Sequence, residues 1–110
     1  MEIIIEELLN VTVIILKGEF YVENVTKFDD LWHTLIEKRP RAIAINCKEL
    51  VYIDSSAIGT LVKFLNTAMT HDISLQFFDL NSSIQNIFKT TRLDKFFTIT
   101  TREKLEKDFH

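Results

Sequence analysis

A chain of 110 residues suits one domain that buries roughly two-thirds of the surface its unfolded form would expose, so it needs neither disulfide nor metal to fold. Hydrophobic content of 46% beside 26% charged residues excludes a disordered chain, and two glycines and one proline leave little room for linkers. A net charge of −3 offers no general attraction to phosphate backbones or anionic lipid, which argues against nucleic acid and membrane as partners.

Ile3 to Leu8 and Val11 to Lys17 are rich in β-branched residues with Asn10 between them, and they predict an opening hairpin. Gly18 is expected to end the second strand, leaving Glu19, Phe20 and Tyr21 in a loop whose aromatic rings are at least partly buried. From Asn24, a candidate cap, Val25, Phe28, Leu31, Trp32, Leu35 and Ile36 form the apolar stripe of a helix ending near Glu37. Lys38, Arg39 and Arg41 then complement the C-terminal dipole around the stop at Pro40, a simpler reading than a phosphate-binding patch.

Ala42 to Ile45 reads as a short central strand buried on both faces. After Tyr52-Ile53-Asp54-Ser55-Ser56 the period changes: Ile58, Leu61, Val62, Leu65, Ala68 and Met69 mark one face of a helix. Ser56, Thr60, Lys63 and Thr67 mark its opposite face. Asp54 or Ser55 therefore stands at the helix N-terminus, where a side-chain oxygen can cap a free backbone N–H.

Ile73 to Phe78 predicts a further strand, and Ser82 with Gln85 a capping box for a short helix carrying Ile84, Ile87 and Phe88. Phe96 to Ile99 reads as a last strand, and Thr100 with Glu103 as a second capping box. The final helix pairs opposite charges at Glu103/Lys107, Arg102/Glu106 and Lys104/Asp108 and docks through Leu105 and Phe109. Strands interspersed with helices, opened by an antiparallel hairpin, predict an α/β fold with a mixed sheet of four to five strands flanked by about four helices, one domain over residues 1–110.

Cys47 is the only cysteine and is expected to be a small buried side chain in a reducing compartment. Glu2, Glu6 and Glu7 interrupt the N-terminal apolar run, so no signal peptide is read there, no stretch has the length of a membrane span, and a cytoplasmic location follows as the expectation. Catalysis by Ser55 would need a base: His33, His71 and His110 fall on a helix, in a loop and at the C-terminus, and no Gly-x-Ser-x-Gly elbow is present, so a serine hydrolase is a minor alternative and no catalytic residue is assigned. The His and Cys positions lack ligand spacing for a metal, and no glycine-rich loop exists to hold a nucleotide cofactor.

The run Asn46-Cys47-Lys48-Glu49-Leu50 followed by Tyr52-Ile53-Asp54-Ser55-Ser56-Ala57-Ile58-Gly59 resembles the signature of STAS domains, specifically bacterial anti-sigma factor antagonists. Gly18-Glu19-Phe20, Leu93-Asp94-Lys95-Phe96-Phe97 and Thr101-Arg102-Glu103 extend the resemblance over nearly the whole chain, although only the Asp-Ser-Ser run is strongly specific. Two positions depart: Tyr21 stands where the family often has Asp, and Ala57 where it usually has Gly.

The resemblance implies that Ser55 is phosphorylated by a partner, an anti-sigma factor serine kinase, and dephosphorylated by a PP2C-type phosphatase. The protein itself would then be no enzyme and a monomer when free. The implied contact surface is Asp54, Ser55, Ser56, Lys63 and Phe64, with packing against the sheet edge as the other reading of Phe64. A STAS subunit of a signalling scaffold or lipid-transport assembly, with Ser55 merely a cap, is the alternative function.

Overall fold

The computed structural model describes residues 1–8 and 10–108. Five strands form one sheet in the order β1-β2-β3-β4-β5: β1 (Glu2–Leu8), β2 (Val11–Phe20), β3 (Ala42–Ile53), β4 (Ser74–Phe78) and β5 (Thr98–Thr100). The β1–β2 pair is antiparallel and the other three pairs are parallel. The helices are α1 (Val25–Glu37), α2 (Ser55–Thr70), α3 (Ser82–Thr90) and α4 (Arg102–Asp108). The predicted α/β fold with its mixed sheet is the one observed.

Alternation along the strands divides the core. Ile43, Ile45 and Phe77 face α1, α2 and α3 in the larger cluster, while Ala42, Ala44 and Phe78 face the other way, where Leu105 of α4 packs. Arg102 lies over the Phe78 ring, 5.3 Å from its centroid, on that second face. The charge pairs expected along α4 are not within ion-pair distance among the described residues, and Phe109, expected to pair with Leu105, lies outside those residues.

Several boundaries differ from expectation, each for a physical reason. Gly18 does not end β2; the strand runs on to Phe20 through shifts of register, and Gly18 has φ +101°, a conformation that side chains rarely adopt. β3 runs to Ile53, well beyond the predicted Ile45, because β2 pairs with it as far as Ile53, and past residue 46, where β4 no longer pairs, it carries polar residues such as Lys48 and Glu49 outward.

The caps differ as well. Asn24 Oδ1 accepts from Tyr21 N at 3.0 Å, closing a 3-10 turn over Val22–Asn24 rather than capping α1. The cap of α3 is Asn81, whose Oδ1 accepts from Ile84 N at 3.0 Å, and not Ser82. The cap of α4 is Thr101, whose Oγ1 accepts from Lys104 N at 3.2 Å, and not Thr100. A short polar residue just before the first turn can cap from one position earlier, so runs of Ser, Thr and Asn fix a helix start only to within a residue.

Asn81 also braces the half of β3 that β2 pairs on one edge and β4 leaves open on the other. Its Nδ2 donates to the carbonyls of Cys47, Lys48 and Leu50 at 2.9, 3.0 and 2.6 Å. It meets acceptors that a longer β4 would otherwise cover. The long β3 thereby delivers Asp54 to the end of the sheet in a fixed place.

Candidate functional site

β3 stops at Ile53 and the chain turns into α2 through Asp54, which has extended backbone (φ −87°, ψ 176°). Its two carboxylate oxygens do separate work. Oδ1 accepts from Ala57 N at 2.8 Å and caps α2; Oδ2 accepts from Val22 N at 2.9 Å and ties the turn after β2 to the same point. Asp54 N donates to Phe20 O at 3.1 Å, so three segments meet at this residue.

Because Asp54 does the capping, Ser55 and Ser56 are left over. Both are exposed, and among the described residues neither hydroxyl has a hydrogen-bond partner. The N–H groups of this first turn have no acceptor within the helix, and the dipole of a 16-residue helix points its positive end at them, a setting that favours an anion by about 0.3–1 kcal/mol when exposed. Ala57 is fully buried beneath.

Lys63 stands on the outward face two turns further along, its Nζ 3.9 Å from Asp29 Oδ1 of α1. Phe64 does not belong to this surface. It is 1% exposed and stacks on Phe28 and Trp32, with ring centroids 5.1 and 4.6 Å away. The deeply buried stripe of α2 is Ala57, Leu61, Phe64 and Ala68; it keeps Leu61 and Ala68 of the stripe counted from Ile58, adds Ala57 and Phe64, and leaves Ile58, Val62 and Leu65 partly buried and Met69 65% exposed.

Around Ser55 the structure gathers residues to which no role was given from the sequence. Tyr21, at the position departing from the family, packs its ring 5.9 Å from that of Tyr52 and donates its hydroxyl proton to Glu19. Val22, whose N–H is bound by Asp54, is 59% exposed. On the other side, Tyr52, Ser55 and Ile58 line an open groove of about 430 Å³ with Asn86, Ile87 and Thr90 of α3. Simple alternation would not have found Tyr52: along this half of β3 the buried residues are Cys47, Leu50 and Ile53, every third position, so Val51 and Tyr52 are exposed together.

Chemistry at Ser55 within the chain has little to work with. No histidine is hydrogen-bonded to Ser55 or Ser56 among the described residues; His71 Nδ1 lies 2.8 Å from Thr67 O at the far end of α2, and His33 is 3.6 Å from Asp29 on α1. His110 lies outside those residues. No group of three potential metal ligands occurs among the described residues, and none of their helices is long and apolar enough to cross a membrane.

The family model of the STAS domain matches residues 2–107. The chain belongs to the STAS domain family. Among solved structures this STAS domain is similar to a putative anti-sigma factor antagonist from Thermotoga maritima, with TM-score 0.87 and 17% identity over 97% of this chain and 93% of that one. It is also similar to the Bacillus cell fate determinant SpoIIAA in the phosphorylated form, with TM-score 0.74 and 18% identity over 99% and 100% of the two chains. A sulfate transporter family protein from Wolinella succinogenes matches with TM-score 0.71 and 14% identity over 88% and 82%. At these identities the likeness is one of fold.

Proposed function

We propose that this STAS domain is an anti-sigma factor antagonist, a cytoplasmic binding module switched by phosphorylation of Ser55. The observation that carries the reading is the division of labour at the start of α2: Asp54 holds the cap and the tether, while Ser55 presents an unpartnered hydroxyl on a surface ready for an anion. A kinase-fold anti-sigma factor supplies ATP. Its γ-phosphoryl group passes to Ser55 Oγ, the hydroxyl proton goes to a base of the kinase, and ADP leaves. A PP2C-type phosphatase returns the serine by hydrolysis, releasing inorganic phosphate.

The switch works through the interface rather than the fold. The phosphate brings a charge of about −1.5 to −2 to a point where the neutral form meets its partner, so the kinase that binds the serine form is repelled by the phosphoserine form. Asp54, Ser55, Ser56 and Lys63 form the contact surface, with Val22 and Tyr52 as its apolar rim.

The test is intact mass and peptide mapping of the protein from its own cells, before and after phosphatase treatment. Phosphate on Ser55 is the expected result, and a protein that stays unmodified across growth and stress conditions overturns the reading. A second reading, a STAS subunit whose Ser55 is never modified, draws on Tyr21, whose ring and hydroxyl occupy the flank of the site, and on the kinship of fold with a transporter-family protein. Regulation that survives Ser55→Ala would select it.

A further inference from the structure

β4 and β5 run parallel with Gln76, Phe77 and Phe78 opposite Thr98, Ile99 and Thr100. From the end of β4 the chain passes through Asp79 to α3 on one face of the sheet; from the end of β5 it passes through Thr101 to α4 on the other. Two neighbouring strands whose outgoing connections part to opposite faces leave a crevice at their carboxyl ends, the place where open α/β sheets take small ligands. A cavity of about 420 Å³ lies there, within the size range of small-molecule sites.

Its lining is mixed. Leu80 and Ile99 supply apolar surface over the buried ring of Phe88, and Asp79, Asp94 and Lys89 supply two negative charges and one positive charge. Among the described residues none of these three charges forms an ion pair, with each other or with anything else. Asp79 Oδ2 accepts one hydrogen bond, from Asn46 Nδ2 at 3.3 Å. Thr100, also in the wall, has its Oγ1 shielded from water without a partner.

We propose that this crevice binds a small zwitterion with an apolar body, a free apolar α-amino acid or a close analogue. Asp79 and Asp94 receive the ammonium group, Lys89 receives the carboxylate, and Leu80 and Ile99 cover the side chain above Phe88. The site is separate from the Ser55 groove, because α3 stands between them: Phe88 and Lys89 line the crevice, whereas Ile87 and Thr90 line the groove.

The experiment is an amide-shift NMR titration of the ¹⁵N-labelled chain with L-phenylalanine, L-leucine, and the single-charge analogues phenethylamine and 3-phenylpropionate. Saturable shifts at Leu80, Lys89, Thr100 and Thr101 are expected, with each analogue weaker than L-phenylalanine by about tenfold or more. Lys89→Met should weaken L-phenylalanine by a similar factor and leave phenethylamine unchanged, and Ile99→Trp should fill the crevice and abolish the shifts. Lys89 and Ile99 are both exposed, so neither variant disturbs the core. No saturable shift with either amino acid, analogues that bind as well as the zwitterion, or variants without effect would each overturn the proposal.

Discussion

Asp54 and Val22 are 32 positions apart in the chain, yet the carboxylate of one accepts the backbone N–H of the other at 2.9 Å while its second oxygen caps α2. One side chain thereby fixes the turn after β2, the end of β3 and the first turn of α2. The exposed serines beside it are spared any structural duty.

Asp54→Ala should therefore cost more than a simple cap. The cap contributes about 1 kcal/mol and the second, charge-assisted bond about as much again, so a loss of about 2 kcal/mol is expected in urea unfolding followed by Trp32 fluorescence. Trp32 is the only tryptophan and is buried, which makes it a clean reporter. Asp54→Asn keeps an oxygen for one of the two donors and should fall between.

Ser55→Asp should leave stability within about 0.5 kcal/mol of wild type and the far-UV circular dichroism unchanged, because an exposed anion at a helix N-terminus is tolerated. The same variant should bind the cognate kinase much more weakly than wild type. Equal binding would remove the switch from Ser55, and a large change in dichroism would mean that the modification acts on the fold.

Asn81 offers a test of the brace under β3. Asn81→Ala removes both the α3 cap and the amide that serves three carbonyls, and about 2–3 kcal/mol should be lost. Asn81→Asp retains the cap but turns a carboxylate toward those carbonyls, so it should destabilise although Asp caps helices well. If it matches wild type, the brace contributes nothing.

Phe64→Ala should cost about 3–5 kcal/mol, the usual result of emptying a packed aromatic site. Phe64→Leu should be milder and should leave partner affinity unchanged in calorimetric titration, since Phe64 is stacked inside rather than displayed. A large loss of affinity in a folded Phe64→Leu protein would return the residue to the contact surface.

Cys47 is buried, and burial first, then the charge of Asp79, pushes its thiol well above the ordinary range. In the native protein it should resist thiol reagents at pH 8 and react once urea unfolds the chain. Above pH about 8.5 the unfolded chain releases a thiol proton that the folded chain retains. Unfolding free energy should then fall with pH more steeply in wild type than in Cys47→Ala, by about 1.4 kcal/mol per pH unit.

The site was legible to the extent that it is local. Asp54 and Ser55 announce a helix start because a carboxylate and hydroxyls lie just ahead of a period of 3.6, and that start is where they are found. Phe64 stood between contact surface and core because it lies at the edge of the stripe read from Ile58, and only the neighbours Phe28 and Trp32 decide that it faces in. Tyr52 and Val22 gained their place beside Ser55 only when β3 was extended and the turn after β2 was tied to Asp54.

The sequence by itself determined the order and type of the elements, the opening hairpin, and the residue pair at the head of α2, because period, β-branching and capping chemistry act within a few positions. Tertiary structure alone decided how far β2 and β3 run, which of several polar residues caps each helix, and which faces of the sheet receive α3 and α4. Those outcomes depend on partners distant in the chain: β2 carries β3 past the end of β4, Asn81 meets its loose carbonyls, and the parting of two connections opens a crevice that no short stretch encodes.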